Sequence, residues 1–468
     1  MTRTVVRGGT VVTATDTVAA DILIEGDQIL AVVRRDAELG RTFAATADVV
    51  IDATGRLVVP GGIDAHTHFG ATGQIAPVLD TFRTGTIASA FGGTTTVIDF
   101  ASPLGGERIT DAVDRHHGDA AGECAVDYGF HVNTVGVDEM SPKEMDVLVD
   151  DGVTSFKMFM AYPGTLYSDD AQILRMMQQS AHNGGLVMMH AENGIAMDLL
   201  RQQAVERGNT DPVFHSLTRP PVLEAEAVHR AAALAHVAGV PVYIVHLSSG
   251  PALEQVALAR DKGWNVFAET CPQYLFLDLA DLEKPDFEGS KYVCSPPLRA
   301  TSHQDDLWRG LRTNDLQVVA TDHCPFCWDQ KMLGRNDFRS IPNGVPGVEH
   351  RIELMYDGAV AKGRTSLNRW VEICSTTPAK MFGLHPRKGA IAPGSDADLV
   401  IFDPGRPRTI SAATHHMNVD YSVYEGFEVA GRVDKVLLRG KVIVDGESYL
   451  GSPTDGTFLK RDICQYLQ

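Results

Sequence analysis

Four apolar runs in this chain end on residues that can ligate metal ions: Met188-Met189-His190, Ile244-Val245-His246, Val318-Val319-Ala320-Thr321-Asp322 and Gly61-Gly62-Ile63-Asp64-Ala65-His66-Thr67-His68. A fifth, Ser155-Phe156-Lys157-Met158-Phe159-Met160, places a lysine among aromatic and thioether side chains. Unbroken apolar segments separated by helical stretches read as strands of a parallel sheet, because helices cover both faces of such a sheet. Eight candidate strands lie near 61–68, 94–100, 126–132, 153–160, 186–190, 242–247, 265–270 and 317–322, and amphipathic segments such as 222–235 alternate with them. This is the pattern of an α/β chain folded as a (β/α)8 TIM-like barrel, whose chemistry collects where the strands end.

The two ends of the chain read differently. Residues 10–13, 21–32 and 49–52 near the start, and 397–404 and 433–444 near the finish, are strand-like with no helices between them. Packed together, the ends make one small β-sandwich domain (1–57 plus 390–447) with the barrel (58–389) inserted between them; two separate small domains would each have a thin core. Residues 448–468 form a C-terminal arm that could pack on a neighbouring subunit.

Composition narrows the function. A chain of 468 residues suits a barrel with an accessory domain, and its net charge of -19 argues against nucleic acid as a partner, since phosphate binding needs a basic footprint. No apolar run approaches the ~20 residues of a membrane-spanning helix, and the first residues lack the apolar stretch of a secretory signal. Seven cysteines make no paired framework; Cys324-Pro325-Phe326-Cys327 is a lone C-x-x-C without a second pair. Reduced thiols and a cytoplasmic setting are expected.

His66 and His68 alternate along one strand, so both side chains point the same way and can grip one divalent ion. His190, His246 and Asp322, at the ends of three other strands, add imidazoles and a carboxylate. Strand-end position equally nominates His131 and His323 and does not by itself say which histidines bind metal. Lys157 is the odd residue: burying an ammonium is costly, so it either reaches the barrel mouth to meet an anionic substrate or is neutralised. A neutral amine can add carbon dioxide and become an anionic carbamate able to bridge two metals.

Across nearly its whole length the chain resembles the dihydropyrimidinase and D-hydantoinase group of the amidohydrolase superfamily. The matching blocks run from Pro60-Gly61-Gly62-Ile63-Asp64-Ala65-His66-Thr67-His68 through Lys157-Met158-Phe159-Met160-Ala161-Tyr162, His190-Ala191-Glu192-Asn193-Gly194, Val245-His246-Leu247-Ser248 and Glu269-Thr270-Cys271-Pro272, to Ser295-Pro296-Pro297-Leu298-Arg299, Thr321-Asp322-His323-Cys324-Pro325-Phe326 and Ile341-Pro342-Asn343-Gly344. The resemblance implies hydrolysis of the cyclic amide of 5-substituted hydantoins or 5,6-dihydropyrimidines to N-carbamoyl amino acids. It also implies two divalent ions, zinc first among candidates, and a homotetramer or homodimer. Carried over by position, His66, His68 and Asp322 hold the more buried ion, and carboxylated Lys157 (N6-carboxylysine) bridges to a second held by His190 and His246. Tyr162 and Asp322 would be catalytic, Tyr162 meeting the oxyanion and Asp322 moving the proton. Tyr162 and the backbone of Ser295 and Asn343 would hold the substrate. His131 and His323 match no ligand of the family and are left structural.

One segment departs from the family pattern. After the H-x-H, relatives carry an acidic loop, whereas Phe69-Gly70-Ala71-Thr72-Gly73-Gln74-Ile75-Ala76-Pro77 is acid-free and small. A roomier pocket for bulky, aryl 5-substituents is the expectation, with loop drift of no consequence as the alternative. Among related activities, dihydroorotase would need an arginine just past the H-x-H, where Phe69 stands; an allantoinase-like ureide hydrolase shares the metal set. A non-catalytic barrel scaffold would lack ligands, and all six are present.

Overall fold

The computed structural model describes every residue except 36, 74 and 468. All eight expected barrel strands form: Gly62–Thr67, Thr94–Ala101, Asp127–Asn133, Ser155–Phe159, Leu186–His190, Val242–Ile244, Val266–Thr270 and Val318–Val319. They pair in parallel and in chain order. A parallel bridge between Thr67 and His323, with the His68 N–H donating to the His323 carbonyl at 3.0 Å, brings the last strand region back to the first. The fold is thus a nearly closed (β/α)8 barrel.

The strands are apolar on both sides because each side meets a different core. Ile63, Ala65, Ile98, Phe100, Met188 and Tyr243 fill the barrel interior, while Phe156, Met158, Val187, Met189 and Ile244 pack outward against the helices. That two-residue alternation revises the surroundings of Lys157. Its sequence neighbours Phe156 and Met158 face the helices. The lysine itself turns into the barrel, its Nζ 4.3 Å from the Phe100 ring centroid and 5.3 Å from that of Phe159.

Local signals set the helices that space the strands. Asp169 caps Asp170–Asn183 by accepting from the Gln172 N–H, the Gln172 side chain answers at the cap, and Gly184 ends the helix in the left-handed region (φ 77°). Helix Pro221–Ala238 starts on a proline at its first position and stops at Gly239.

The strands from the two ends of the chain join one ten-stranded mixed sheet. The seam is the antiparallel pairing of Leu57–Pro60 with Leu399–Asp403, and Val6, Ile22, Ile24, Ile51, Leu399, Ile401 and Leu437 share a core. The C-terminal segment lies on the floor of its own barrel: the Leu459 N–H donates to the Tyr128 carbonyl at 2.7 Å, and the Arg461 guanidinium donates to Ser155 Oγ at 2.8 Å and to the Phe130 carbonyl.

One buried ion cluster joins these parts. Lys388 Nζ meets Asp127 at 2.6 Å, Asp398 at 2.7 Å and Asp396 at 2.9 Å. Asp127 begins a barrel strand, the other two aspartates lead into the sheet, and Asp127 also accepts from the Thr457 N–H at 2.8 Å. Removing the ammonium would leave buried carboxylates facing one another. Lys388→Met should therefore cost about 3–5 kcal/mol of stability, read as a lower midpoint in urea unfolding, whereas a change at the exposed Lys460 should move the midpoint little.

Candidate active site

At the C-terminal mouth of the barrel the side chains of His66, His68, Lys157, His190, His246 and Asp322 converge. His66 Nε2 lies 2.9 Å from Lys157 Nζ and 3.1 Å from Asp322 Oδ1. His68 Nε2 is also 3.1 Å from Asp322 Oδ1, and His190 Nδ1 is 3.0 Å from His246 Nε2. Ligand atoms of His66, His246 and Asp322 fall within 4.8 Å of one another, a group that could hold a metal ion. Strand register contributes directly: Phe159 pairs with His190, so the end of the lysine strand is level with that imidazole.

Backbone strain aims several of these groups. His246 (φ 37°), Asp322 (φ 51°) and Tyr162 (φ 62°) adopt the left-handed region that side chains other than glycine seldom occupy. Each such residue costs of order 1–3 kcal/mol and persists only where its surroundings fix it. His246 and Asp322 lie two and three residues past Ile244 and Val319, where the chain must turn back over the barrel mouth.

Buried carboxylates orient the imidazoles. Glu269 Oε1 accepts from His66 Nδ1 at 2.5 Å and from the His246 N–H at 3.1 Å, while its Oε2 accepts from the Tyr243 hydroxyl at 2.8 Å. His66 Nε2 is thereby left with its lone pair toward the centre, a tautomer assigned from these bonds. Glu192 does the same for His190, accepting from Nε2 at 2.8 Å, and Arg219 donates to the same oxygen at 2.7 Å.

The charge states suit metal binding. Burial lowers the pKa of His68, His190 and His246, so these imidazoles present lone pairs at neutral pH. For His66 burial and Lys157 act downward, but Asp322 and Glu269 outweigh them and the net shift is up. Burial would lift the Asp322 carboxyl; the imidazoles of His66, His68 and His246 hold it well below the usual range. Burial pushes the Lys157 ammonium down to about 8 against the pull of Asp322 and Glu269, and pushes the Tyr162 phenol up to about 12. Three imidazoles held neutral (His68, His190 and His246), His66, a carboxylate and a readily neutralised lysine, with His246 Nδ1 buried and unpartnered, form a donor set that fits divalent ions.

These groups line a cavity of about 310 Å³ together with Phe159, Tyr162, Ser295 and Asn343. Every residue named from the sequence as a ligand or substrate contact reaches it except His66, which lies beneath its floor against Lys157. His131 and His323 stand apart with both ring nitrogens engaged. His131 pairs with Ser155 Oγ and the Ala65 carbonyl; His323 pairs with Asp80 and accepts from the Gly347 and Val348 N–H groups. In the departing loop Phe69 is a core residue packed on Gly85, while Ala71, Thr72, Gly73 and Ile75 face the cavity; Gln74 lies outside the described residues. The seven cysteines are free thiols, Cys324 among those lining the cavity.

Sequence reasoning gave no role to Glu192, Glu269 or Arg219. Glu269 carried a usable signal, an acid near the end of an expected barrel strand; Arg219 carried none, since it sits in a connection between helices.

Residues 57–443 match the model of the amidohydrolase family. A D-hydantoinase of Streptomyces coelicolor is 56% identical over 99% of this chain and 99% of its own length, and one of Geobacillus stearothermophilus is 48% identical over 97% and 96%. The crystal structure of dihydropyrimidinase from Brevibacillus agri superposes with a TM-score of 0.95 at 47% identity, covering 98% of this chain and 99% of that one. The chain belongs to the amidohydrolase family, and within it to the dihydropyrimidinase and D-hydantoinase group.

If Glu269 fixes His66 as described, Glu269→Gln should weaken metal retention about 10–100-fold, measured by chelator competition, with folding preserved by circular dichroism.

Proposed function

We propose that this protein is a metal-dependent cyclic amidohydrolase that opens the ring amide of 5-substituted hydantoins and 5,6-dihydropyrimidines to give N-carbamoyl amino acids. The observation that carries this reading is the convergence of four imidazoles, a carboxylate and a buried lysine beside a cavity that also presents Tyr162, Ser295 and Asn343. His66, His68 and Asp322 would hold one divalent ion, His190 and His246 a second, both zinc, with Lys157 bridging as N6-carboxylysine. The bridge forms when the neutral amine attacks carbon dioxide, making a C–N bond and releasing one proton. The depressed lysine pKa, and the inward turn of the side chain, support it.

Two divalent ions held there would supply a deprotonated water at neutral pH and polarise the ring carbonyl. The chain's own groups do the rest. Asp322, 3.1 Å from both His66 Nε2 and His68 Nε2, would take the remaining proton of the attacking hydroxide and deliver it to the leaving ring nitrogen. Tyr162, a phenol kept protonated by burial, would donate to the oxygen that becomes negative during attack. Backbone groups of Ser295 and Asn343 would hold the ring's amide and ureide edges; both residues line the cavity.

Small side chains at Ala71, Thr72 and Gly73, which line the same cavity as Phe159 and Tyr162, favour bulky aryl 5-substituents over plain dihydrouracil. The free thiols favour a cytoplasmic setting. A homotetramer, or a homodimer, is the assembly that the family resemblance implies. No helix among the described residues is long and apolar enough to cross a membrane.

Steady-state rates on hydantoin, 5-phenylhydantoin and dihydrouracil should rank the aryl substrate first; a clear preference for dihydrouracil would reject the loop argument. Elemental analysis should find two zinc ions per chain, and chelation should abolish ring opening. Lys157→Ala should lose both activity and the carbamate carbon signal seen after labelling with 13C-bicarbonate. Tyr162→Phe should lower kcat about 10²–10³-fold with metal content unchanged.

A further inference from the structure

Lys331 ends the short helix Trp328–Lys331 and is fully buried, with no carboxylate paired to it among the described residues. Its Nζ donates instead to three backbone carbonyls: Pro342 at 2.7 Å, Gly344 at 2.8 Å and Val293 at 3.0 Å. An ammonium has three N–H bonds, and all three are used. Two of the acceptors flank Asn343, and the third lies two residues before Ser295. The Gly344 N–H donates to the same Val293 carbonyl at 2.9 Å, tying the two segments a second time. Gly344 is itself wedged at φ 150°, where a Cβ would come within 2.3 Å of the Cys324 carbonyl oxygen.

We propose that Lys331 is a positioning residue for recognition of the substrate ring, setting the spacing between the 293–295 and 342–344 segments so that Ser295 and Asn343 hold both edges of the ring at once. This rests on the cyclic-amide reading given above. A methionine of similar length would fill the same space without the cost of burying an amine, a cost visible in the Lys331 pKa, which burial pushes down to about 7 against the opposing influence of Cys294 and Cys324. What methionine lacks is the ability to bind three carbonyls. Lys331 touches neither the metal-binding groups nor the reacting atoms, so its effect should appear in substrate recognition and not in the centre itself.

The test compares hydantoin with succinimide, in which a methylene replaces one ring N–H, in wild-type enzyme and Lys331→Met. Affinities are read as KM, or as Ki where turnover is slow. The variant should keep its zinc and most of its kcat, and should bind hydantoin about 10–100-fold more weakly. Its preference for hydantoin over succinimide should shrink at least about ten-fold, because the N–H contact is then poorly placed. Equal losses on both compounds, or loss of zinc, would overturn the positioning role. Should Lys331→Met fail to accumulate, Lys331→Gln keeps two donors and is put through the same comparison, with a smaller loss of preference expected. Wild-type protein that opens neither hydantoin nor dihydrouracil would instead overturn the cyclic-amide reading on which this inference rests.

Discussion

Glu269 holds the centre of this molecule in order. It is wholly buried, and its two oxygens accept from the His66 ring, the backbone of His246 and the Tyr243 hydroxyl. One carboxylate therefore fixes a tautomer on the first strand, a turn after the sixth and a side chain inside the barrel. In a low-dielectric interior such a fully engaged carboxylate is rigid, and a partly engaged one would be expensive. The lone pairs of His66 Nε2 and His190 Nδ1 point to the centre because Glu269 and Glu192 engage the other nitrogen of each ring.

The rest of the barrel mouth is shaped by strain and by distant anchors. His246, Asp322 and Tyr162 sit in left-handed backbone that only a well-packed surround can maintain. That surround includes the bridge between Thr67 and His323 and the Asp80 carboxylate that holds the His323 ring. At the opposite end, Lys388 gathers aspartates from barrel and sheet, and Arg461 ties the C-terminal segment to two barrel strands. The barrel floor is thus clamped by charge, whereas its mouth is set by hydrogen-bonded carboxylates and carbonyls.

Much of this was legible in the residue order. Eight apolar runs gave eight strands, because burial on both faces of a parallel sheet leaves a continuous apolar signature. The H-x-H pair, the strand-end histidines and Asp322 stood out because strand ends are where a barrel presents polar groups. His131 and His323 looked equivalent to the other histidines, and only their neighbours, Ser155 and Ala65 for one and Asp80, Gly347 and Val348 for the other, distinguish them. The lysine at 157 looked enclosed by Phe156 and Met158, yet the alternation of a strand sends those two outward.

The sequence by itself determined which segments become strands and which of those strands carry imidazole, carboxylate and amine, and it favoured packing the two termini together over two separate small domains. Those outcomes follow from local periodicity and from the need to bury apolar surface. Tertiary structure alone decided which histidine nitrogens face the centre, how Arg219 meets Glu192, and that Lys331 ties a segment 38 positions before it to one 11–13 positions after it. Such contacts join residues tens to hundreds of positions apart, and hydrogen-bond direction depends on three-dimensional geometry that no local pattern encodes.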